Sequence, residues 1–435
     1  MSPRLLKTFP RKRRISTSAR RPYLRLAASF VWPAGGSLIH NGAVLIGPDG
    51  TVDAVGPDGA VATPLDAEVH AFEGCLILPG LINTHTHLEL HGLRGRIEED
   101  DFFSWIRGVK VAKDELSDDA FLEAAMAGVR DAWRWGITTV ADTGTSGATV
   151  RALSELGGRG IYYHESISPD PSTAKTVFAD YEAQVLGLCG VAGEGIRVGV
   201  SPHAPYSVHE DLYRRVVDLA DRASLPLAGH VAESAAETAF VTEGGGPFAD
   251  LWRLRGIDLP VPRRSPVQFA ADQGLLRPDM LAIHVVQVDD DDVSLMAERG
   301  VAVVSCPRSN ARHGHGNPPL ARIVDAGIRV GLGTDSVVSV DSIDLLAEAR
   351  AACTLEGITP EIALHLLTKG GASALGLDSS IGAIRPGYRA DVCVVDLTEV
   401  GAVAGPAAAL HERARVTATI VGGQFVFRGG GLDTV

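Results

Sequence analysis

Between Leu76 and residue 379, strand-length apolar runs alternate with helix-length amphipathic stretches, and this alternation limits the fold more than any other feature. The strand-like runs are Leu76 to Asn83, Ile137 to Asp142, Gly160 to Glu165, Ile196 to Ser201, Pro226 to His230, Leu281 to His284, Val301 to Ser305 and Arg329 to Thr334. Most are followed by a stretch with helical spacing, such as Glu210 to Ala223 or Asp289 to Glu298. Repeated strand–helix units imply a parallel sheet with helices outside it. Eight such units over roughly 300 residues predict an α/β fold, a (β/α)8 TIM barrel spanning residues 76–379. A barrel of that size also accounts for most of the 435 residues, which exceed an ordinary single core.

The two chain ends read differently. Gly42 to Ile46 and Val52 to Gly56 flank Pro48-Asp49-Gly50, a hairpin signal. Asp391 to Asp396 and Ala418 to Phe427 also read as strands. Chain termini often lie close together, so residues 26–75 and 380–435 are expected to pair into one small composite β-sandwich domain. Residues 1–25 contain nine Lys or Arg and no acidic residue. They lack the unbroken apolar core of a signal peptide and are read as a disordered basic tail.

A formal net charge of −13 argues against nucleic acid as a partner. No apolar run reaches the roughly 18 residues of a membrane span. Five scattered cysteines without a Cys-x-x-Cys pair suit reduced thiols in the cytoplasm. The expected partner is a small-molecule substrate, bound by a monomer or a homodimer.

Barrels of this kind carry their chemistry where strands end. The first strand ends in His85-Thr86-His87, the fourth in Ser201-Pro202-His203, the fifth in His230-Val231-Ala232-Glu233, the sixth in His284 and the eighth in Gly333-Thr334-Asp335. Residues i and i+2 of a strand share a face, so His85 and His87 project together. Alone, His-x-His is a weak signal and Asp335 could merely cap a helix. Five such strand ends in one barrel point instead to one divalent metal, Zn2+ before Fe2+, with a position left for water. Such a metal brings the pKa of its water towards about 7. Glu233, three residues after His230, suits the general acid/base role, and Asp335 can bind metal and steer the water.

These motifs resemble the amidohydrolase superfamily over roughly residues 38 to 427, specifically its branch of metal-dependent aminohydrolases. The resemblance rests on Leu78-Pro79-Gly80-Leu81-Ile82-Asn83-Thr84-His85-Thr86-His87, His203-Ala204-Pro205-Tyr206, His230-Val231-Ala232-Glu233, Cys306-Pro307-Arg308-Ser309-Asn310 and Gly333-Thr334-Asp335-Ser336. It implies His85, His87, His230 and Asp335 as metal ligands, Glu233 as proton shuttle, and His284 as a catalytic residue polarising the attacked centre. It places His203 and Asn310 against the substrate. Strands 3 and 4 lack the lysine of the binuclear members, so one metal is implied, with hydrolytic deamination of an adenine-bearing nucleoside or related N-heterocycle.

Substrate choice is less legible. Leu93 to Glu99 resembles the loop that brings a glutamate to ribose hydroxyls in S-adenosylhomocysteine and adenosine-type deaminases, with Glu98 the matching residue, or else a solvated acidic run. His85 to Glu89 and Cys306 to Asn310 look more like the aminodeoxyfutalosine deaminases of menaquinone biosynthesis. Arg308 could then meet a substrate carboxylate or form a structural ion pair. Relatives usually have an apolar residue and then glycine after the asparagine, whereas here Ala311-Arg312-His313-Gly314-His315-Gly316 follows Asn310. These two extra histidines, His313 and His315, are expected at the barrel mouth, either contacting substrate or, the slightly preferred reading, solvated. The alternatives are a guanine, cytosine or triazine aminohydrolase or chlorohydrolase, and, remotely, a catalytically inactive binding scaffold.

Overall fold

A computed structural model describes residues 21–99, 101–257, 262–401 and 405–429. The basic tail, apart from its last five residues, lies outside the described residues. Those last residues already turn into structure, since the first strand starts at Leu24.

The chain ends build one seven-stranded mixed sheet. Its strands are β1 (Leu24–Val31), β2 (Ile39–Ile46), β3 (Val52–Pro57) and β4 (Glu68–Pro79). After eight barrel strands, the C-terminal segment adds β13 (Val392–Asp396), β14 (Arg415–Val421) and β15 (Gln424–Arg428), in the order β15-β14-β13-β4-β1-β2-β3. The hairpin at Pro48-Asp49-Gly50 pairs β2 with β3. Leu26, Val44, Ile77, Val394 and Ile420 belong to one core fed from both ends of the chain. The sandwich expected of these segments is thus hydrogen-bonded as a continuous sheet.

The barrel strands are β5 (Leu81–Thr86), β6 (Ile137–Gly144), β7 (Gly160–Ser166), β8 (Ile196–Pro202), β9 (Leu227–Val231), β10 (Met280–His284), β11 (Ala302–Ser305) and β12 (Arg329–Leu332), paired in sequence order. A parallel bridge between Thr86 and Asp335 joins the last to the first. The hydroxyl of Thr84 donates to the Leu332 carbonyl at 2.8 Å beside it. Helices cover the outside by their apolar faces. In Glu210–Ala223 the buried side chains are Leu212, Tyr213, Val216, Val217, Leu219 and Ala220, the spacing of one helical face. Ser224 ends that helix in the left-handed region.

One boundary differs from the sequence reading. The apolar run from Leu76 to Asn83 is two strands rather than one. Leu76 to Pro79 pairs with β13 in the composite sheet, and the barrel starts at Leu81. Pro79 has no N–H to donate to a ladder. Gly80 passes so close to Thr138 that a Cβ there would sit 2.2 Å from its hydroxyl. Hydrophobicity runs through this junction because both sheets bury it.

Candidate functional site

His85 and His87 leave β5 on one face, as the strand period requires, with ring centroids 4.8 Å apart. His230, at the end of β9, brings its ring to 5.2 Å from His85 and 6.0 Å from His87. One ring nitrogen of each lies within 4.8 Å of the others. Asp335 completes the cluster, with Oδ1 at 3.4 Å from His87 Nε2 and 3.6 Å from His85 Nε2. Its Oδ2 accepts from the Ser309 hydroxyl at 2.7 Å. Asp335 therefore faces imidazoles and does not cap a helix.

The backbone is bent to achieve this. Ala232, His284, Val285 and Asp335 all adopt positive φ, from 51° to 74°, where L-residues are strained. Such conformations cost on the order of 1 kcal/mol each and persist where the surroundings over-determine them.

The donor set fits a divalent cation. His85 is fully buried, yet neither ring nitrogen has a hydrogen-bond partner among the described residues. Burial keeps His85 below the usual histidine range despite Asp335, and burial together with His85 pushes His87 down to about 4. His230 is held well below its usual range, by burial first and then by His203 and the other rings. Neutral imidazoles are what a metal needs. Burial opposes the Asp335 charge, but the adjacent His85 ring and the other nearby histidines hold its carboxyl well below the usual range. His230 Nδ1 meets the His203 carbonyl at 3.1 Å, which directs Nε2 at the cluster.

Beside this cluster lies a buried carboxylate. Glu233 Oε1 stands 3.4 Å from His284 Nε2 and 3.4 Å from His315 Nε2. Burial works against its charge, but His284 and then His315 outweigh it and bring the carboxyl down to about 2. The backbone N–H groups of Ala232 and Glu233 each donate at 2.8 Å to the Glu237 carboxylate, which pins this turn.

The structure brings His85, His87, His203, His230, Glu233, His284 and Asp335 together as the sequence suggests, but not all the expected substrate contacts. Glu98 is exposed ahead of helix α1 (Phe102–Asp114). Arg308 donates to the Ser342 carbonyl at 3.1 Å and lies 3.5 Å from the buried Glu348 carboxylate, which is the structural ion pair. Asn310 is fully buried, with Oδ1 2.9 Å from His284 Nδ1, and orients that ring. His313 and His315 are not solvated. His315 is buried against the edge of Phe102 (4.5 Å), and His313 is half-buried under Trp105 (4.4 Å).

Other residues escaped the sequence reading. Glu89, completely buried, accepts from Lys113 of α1 at 2.9 Å, from Thr145 N at 3.1 Å and from the Ser146 hydroxyl at 2.5 Å. Burial opposes its charge, yet Lys113 and these donors bring it to about 2. Glu165, at the end of β7, has a buried Oε1 without a hydrogen-bond partner, and burial raises its pKa. Its carboxylate lies within 4.8 Å of nitrogens of His203 and His230. The signal for Glu89 and Glu165 was available: each is an acidic residue adjoining a strand end of an otherwise apolar barrel.

Aromatic side chains border this group. Tyr206 and Phe248 stack at 3.8 Å, and Phe102 meets Phe248 edge-on at 6.4 Å.

Comparison with known proteins agrees with this architecture. The sequence profile described as "Amidohydrolase family" matches residues 76–426. The chain is 31% identical over 382 residues to a 5-methylthioadenosine/S-adenosylhomocysteine deaminase of Halobacterium salinarum, covering 83% of each chain. It is 31% identical over 356 residues to an aminodeoxyfutalosine deaminase of Deinococcus radiodurans, covering 79% of this chain and 83% of that one. The fold is similar to that of an adenosine deaminase from Xanthomonas campestris crystallised with bound zinc, with a TM-score of 0.82, 24% identity and 93% of each chain covered.

Proposed function

Because this chain belongs to the amidohydrolase family, we propose that it is a metal-dependent hydrolytic deaminase that replaces the amino group of an adenine-bearing nucleoside by oxygen and releases ammonia. The observation that carries this reading is the convergence of His85, His87, His230 and Asp335 beside the carboxylate of Glu233 at the ends of the barrel strands. A divalent cation held by those four residues, zinc by their donor chemistry, would supply Lewis-acid activation of a water.

The chain's own groups then handle the protons. Glu233, ionised in its buried setting, accepts a proton from the water and delivers it to the amidine nitrogen that leaves. The water oxygen bonds to the ring carbon and the bond to the amino nitrogen breaks; the second water proton ends on the adjacent ring nitrogen, so the carbon becomes a carbonyl and ammonia departs. His284, held by Asn310 Oδ1 at Nδ1, turns Nε2 towards Glu233 and the attacked centre. Asp335 holds its place through Ser309 and keeps an oxygen beside His85 and His87. His203, whose Nδ1 lies 2.7 Å from the Ser207 hydroxyl, is left with Nε2 for the substrate. Tyr206, Phe248 and Phe102 form a wall suited to a flat heterocycle.

The names of the curated relatives support an adenine nucleoside. Five free thiols support a reducing compartment, the cytoplasm. The exposure of Glu98 favours a second reading, a free base or triazine substrate, since the residue expected at the ribose is turned to solvent. Ammonia release by zinc-loaded enzyme from adenosine, S-adenosylhomocysteine, aminodeoxyfutalosine, guanine and cytosine separates the two. Turnover of an adenine nucleoside supports the first. Release only from a free base overturns it in favour of the second.

A further inference from the structure

The segment after Asn310 holds a feature that the proposed chemistry does not absorb. Gly314-His315-Gly316 carries glycines with φ of +66° and +95° on either side of the histidine. Both conformations suit glycine and let the chain turn His315 inward. The loop is tied down on both sides of the ring: His315 N donates to the Asn310 carbonyl at 2.9 Å, and Gln287 Nε2 donates to the His315 carbonyl at 2.5 Å. His315 is 5% exposed, and its ring stands perpendicular to Phe102 at 4.5 Å. Its Nε2, without a close hydrogen bond, meets Glu233 Oε1 at 3.4 Å.

Glu233 Oε1 thus lies between two imidazole nitrogens, and their chemistry differs. Asn310 Oδ1 accepts at His284 Nδ1, so a neutral His284 carries its proton there and offers a lone pair at Nε2. In that neutral form Nε2 cannot donate to the carboxylate, and the donation is left to His315. His315 has no such bond at Nδ1 among the described hydrogen bonds, and its Nε2 is free to carry the proton that a carboxylate oxygen accepts.

We propose that His315 is a positioning residue for Glu233, donating from Nε2 to Oε1 so that Oε2 remains free to take and pass on the proton of the reacting water. This rests on the deaminase reading above. The 3.4 Å separation is long for a finished hydrogen bond, and such contacts tighten when substrate is bound. The groups facing Glu233 are His284 from β10, His315 from this loop and Asp335 after β12, with Glu237 holding its backbone. Both imidazoles bring Nε2 to that oxygen, but His284 has its Nδ1 engaged by Asn310, whereas no described hydrogen bond engages the His315 ring.

The test uses the zinc-loaded full chain with H315A and H315Q. Loss of a hydrogen bond to a charged group corresponds to about tenfold or more in rate. H315A is expected to lose about that factor in kcat, with KM and zinc content unchanged, and added imidazole restores part of it. H315Q, which keeps an N–H donor, is expected to recover most of the loss. Unchanged kcat in H315A overturns the proposal, as does equal loss in both variants accompanied by loss of zinc. A second measurement needs no turnover: in 15N-histidine spectra His315 is expected as the Nε2–H form, with a resonance that moves in E233Q. An Nδ1–H form, or no response to E233Q, overturns the contact. If the wild type deaminates nothing in the panel, the deaminase reading fails on its own, and the spectra still decide the contact.

Discussion

The hydroxyl of Thr86 donates at 3.1 Å to the main-chain carbonyl of Asp335, 249 residues further along the chain. This contact closes the barrel and also sets Asp335 beside His85 and His87. Closure of the fold and assembly of the candidate metal cluster are therefore one event. Further ties at this seam, among them Thr334 N to the His85 carbonyl at 3.0 Å and Asn83 Nδ2 to the Thr334 hydroxyl at 2.8 Å, serve both ends as well.

Metal binding and proton transfer are assigned to different residues, and substitutions should separate them. His85→Ala removes a ring from the centre of the cluster and is expected to lose metal and activity together. Glu233→Gln keeps all four proposed ligands and is expected to keep its metal while turnover falls by about 10²–10⁴. Elemental analysis beside an ammonia assay reads both, and near-normal turnover in Glu233→Gln would end the shuttle assignment.

Gly333 should report on the same seam. A Cβ there would stand 2.8 Å from both the Cβ and the backbone N of His85. Those atoms cannot swing away as a side-chain end can. Gly333→Ala is expected to displace His85, so the protein yields its metal to a chelator faster than the wild type does.

Lys113 ties helix α1 to the barrel through Glu89. Replacing it by methionine preserves volume but leaves a buried carboxylate without its cation, which costs about 3–5 kcal/mol. Lys113→Met is expected to lower the thermal midpoint by several degrees, and adding Glu89→Gln is expected to restore part of the loss. A Lys113→Met protein as stable as the wild type would show that the hydrogen bonds from Thr145 and Ser146 suffice.

Glu356 gives a pH signature distant from the histidine cluster. Its Oε1 accepts from the Ser305 hydroxyl at 2.7 Å, its Oε2 is buried without a partner, and burial raises its pKa to about 8. Between the ordinary glutamate value of about 4.5 and 8, the folded chain binds a proton that the unfolded chain releases. Stability is therefore full below that window and falls as pH rises through it, by up to about 1.4 kcal/mol per pH unit. Glu356→Gln is expected to lose less stability than the wild type between pH 5 and pH 8 in matched thermal melts. Parallel curves would refute the raised pKa.

The junction at Pro79-Gly80 and the loop at Asn310 show where reading from the chain succeeds and where it stops. Apolar runs and their spacing made the barrel strands visible, because a strand buried on both faces must be apolar along its length. The same rule concealed the break at Gly80, since both sheets bury their side of it. Histidines at strand ends were legible because an apolar barrel leaves few other reasons for them. The partners of those histidines were not. Asn310 turns to His284 and not to open space, Arg308 turns to Glu348, and Glu98 turns to solvent.

By itself, then, the sequence determined the alternating architecture, the cluster of His85, His87, His230 and Asp335, and the placing of Glu233 three residues beyond a candidate ligand. Periodicity and strand ends are local properties, and they survive without coordinates. The tertiary structure alone decided that Lys113 reaches Glu89, that Glu165 joins His203, and that His315 is buried against Glu233. Each of those pairs joins segments distant in the chain, and the direction of a side chain across such a gap is set by packing, which no local pattern encodes.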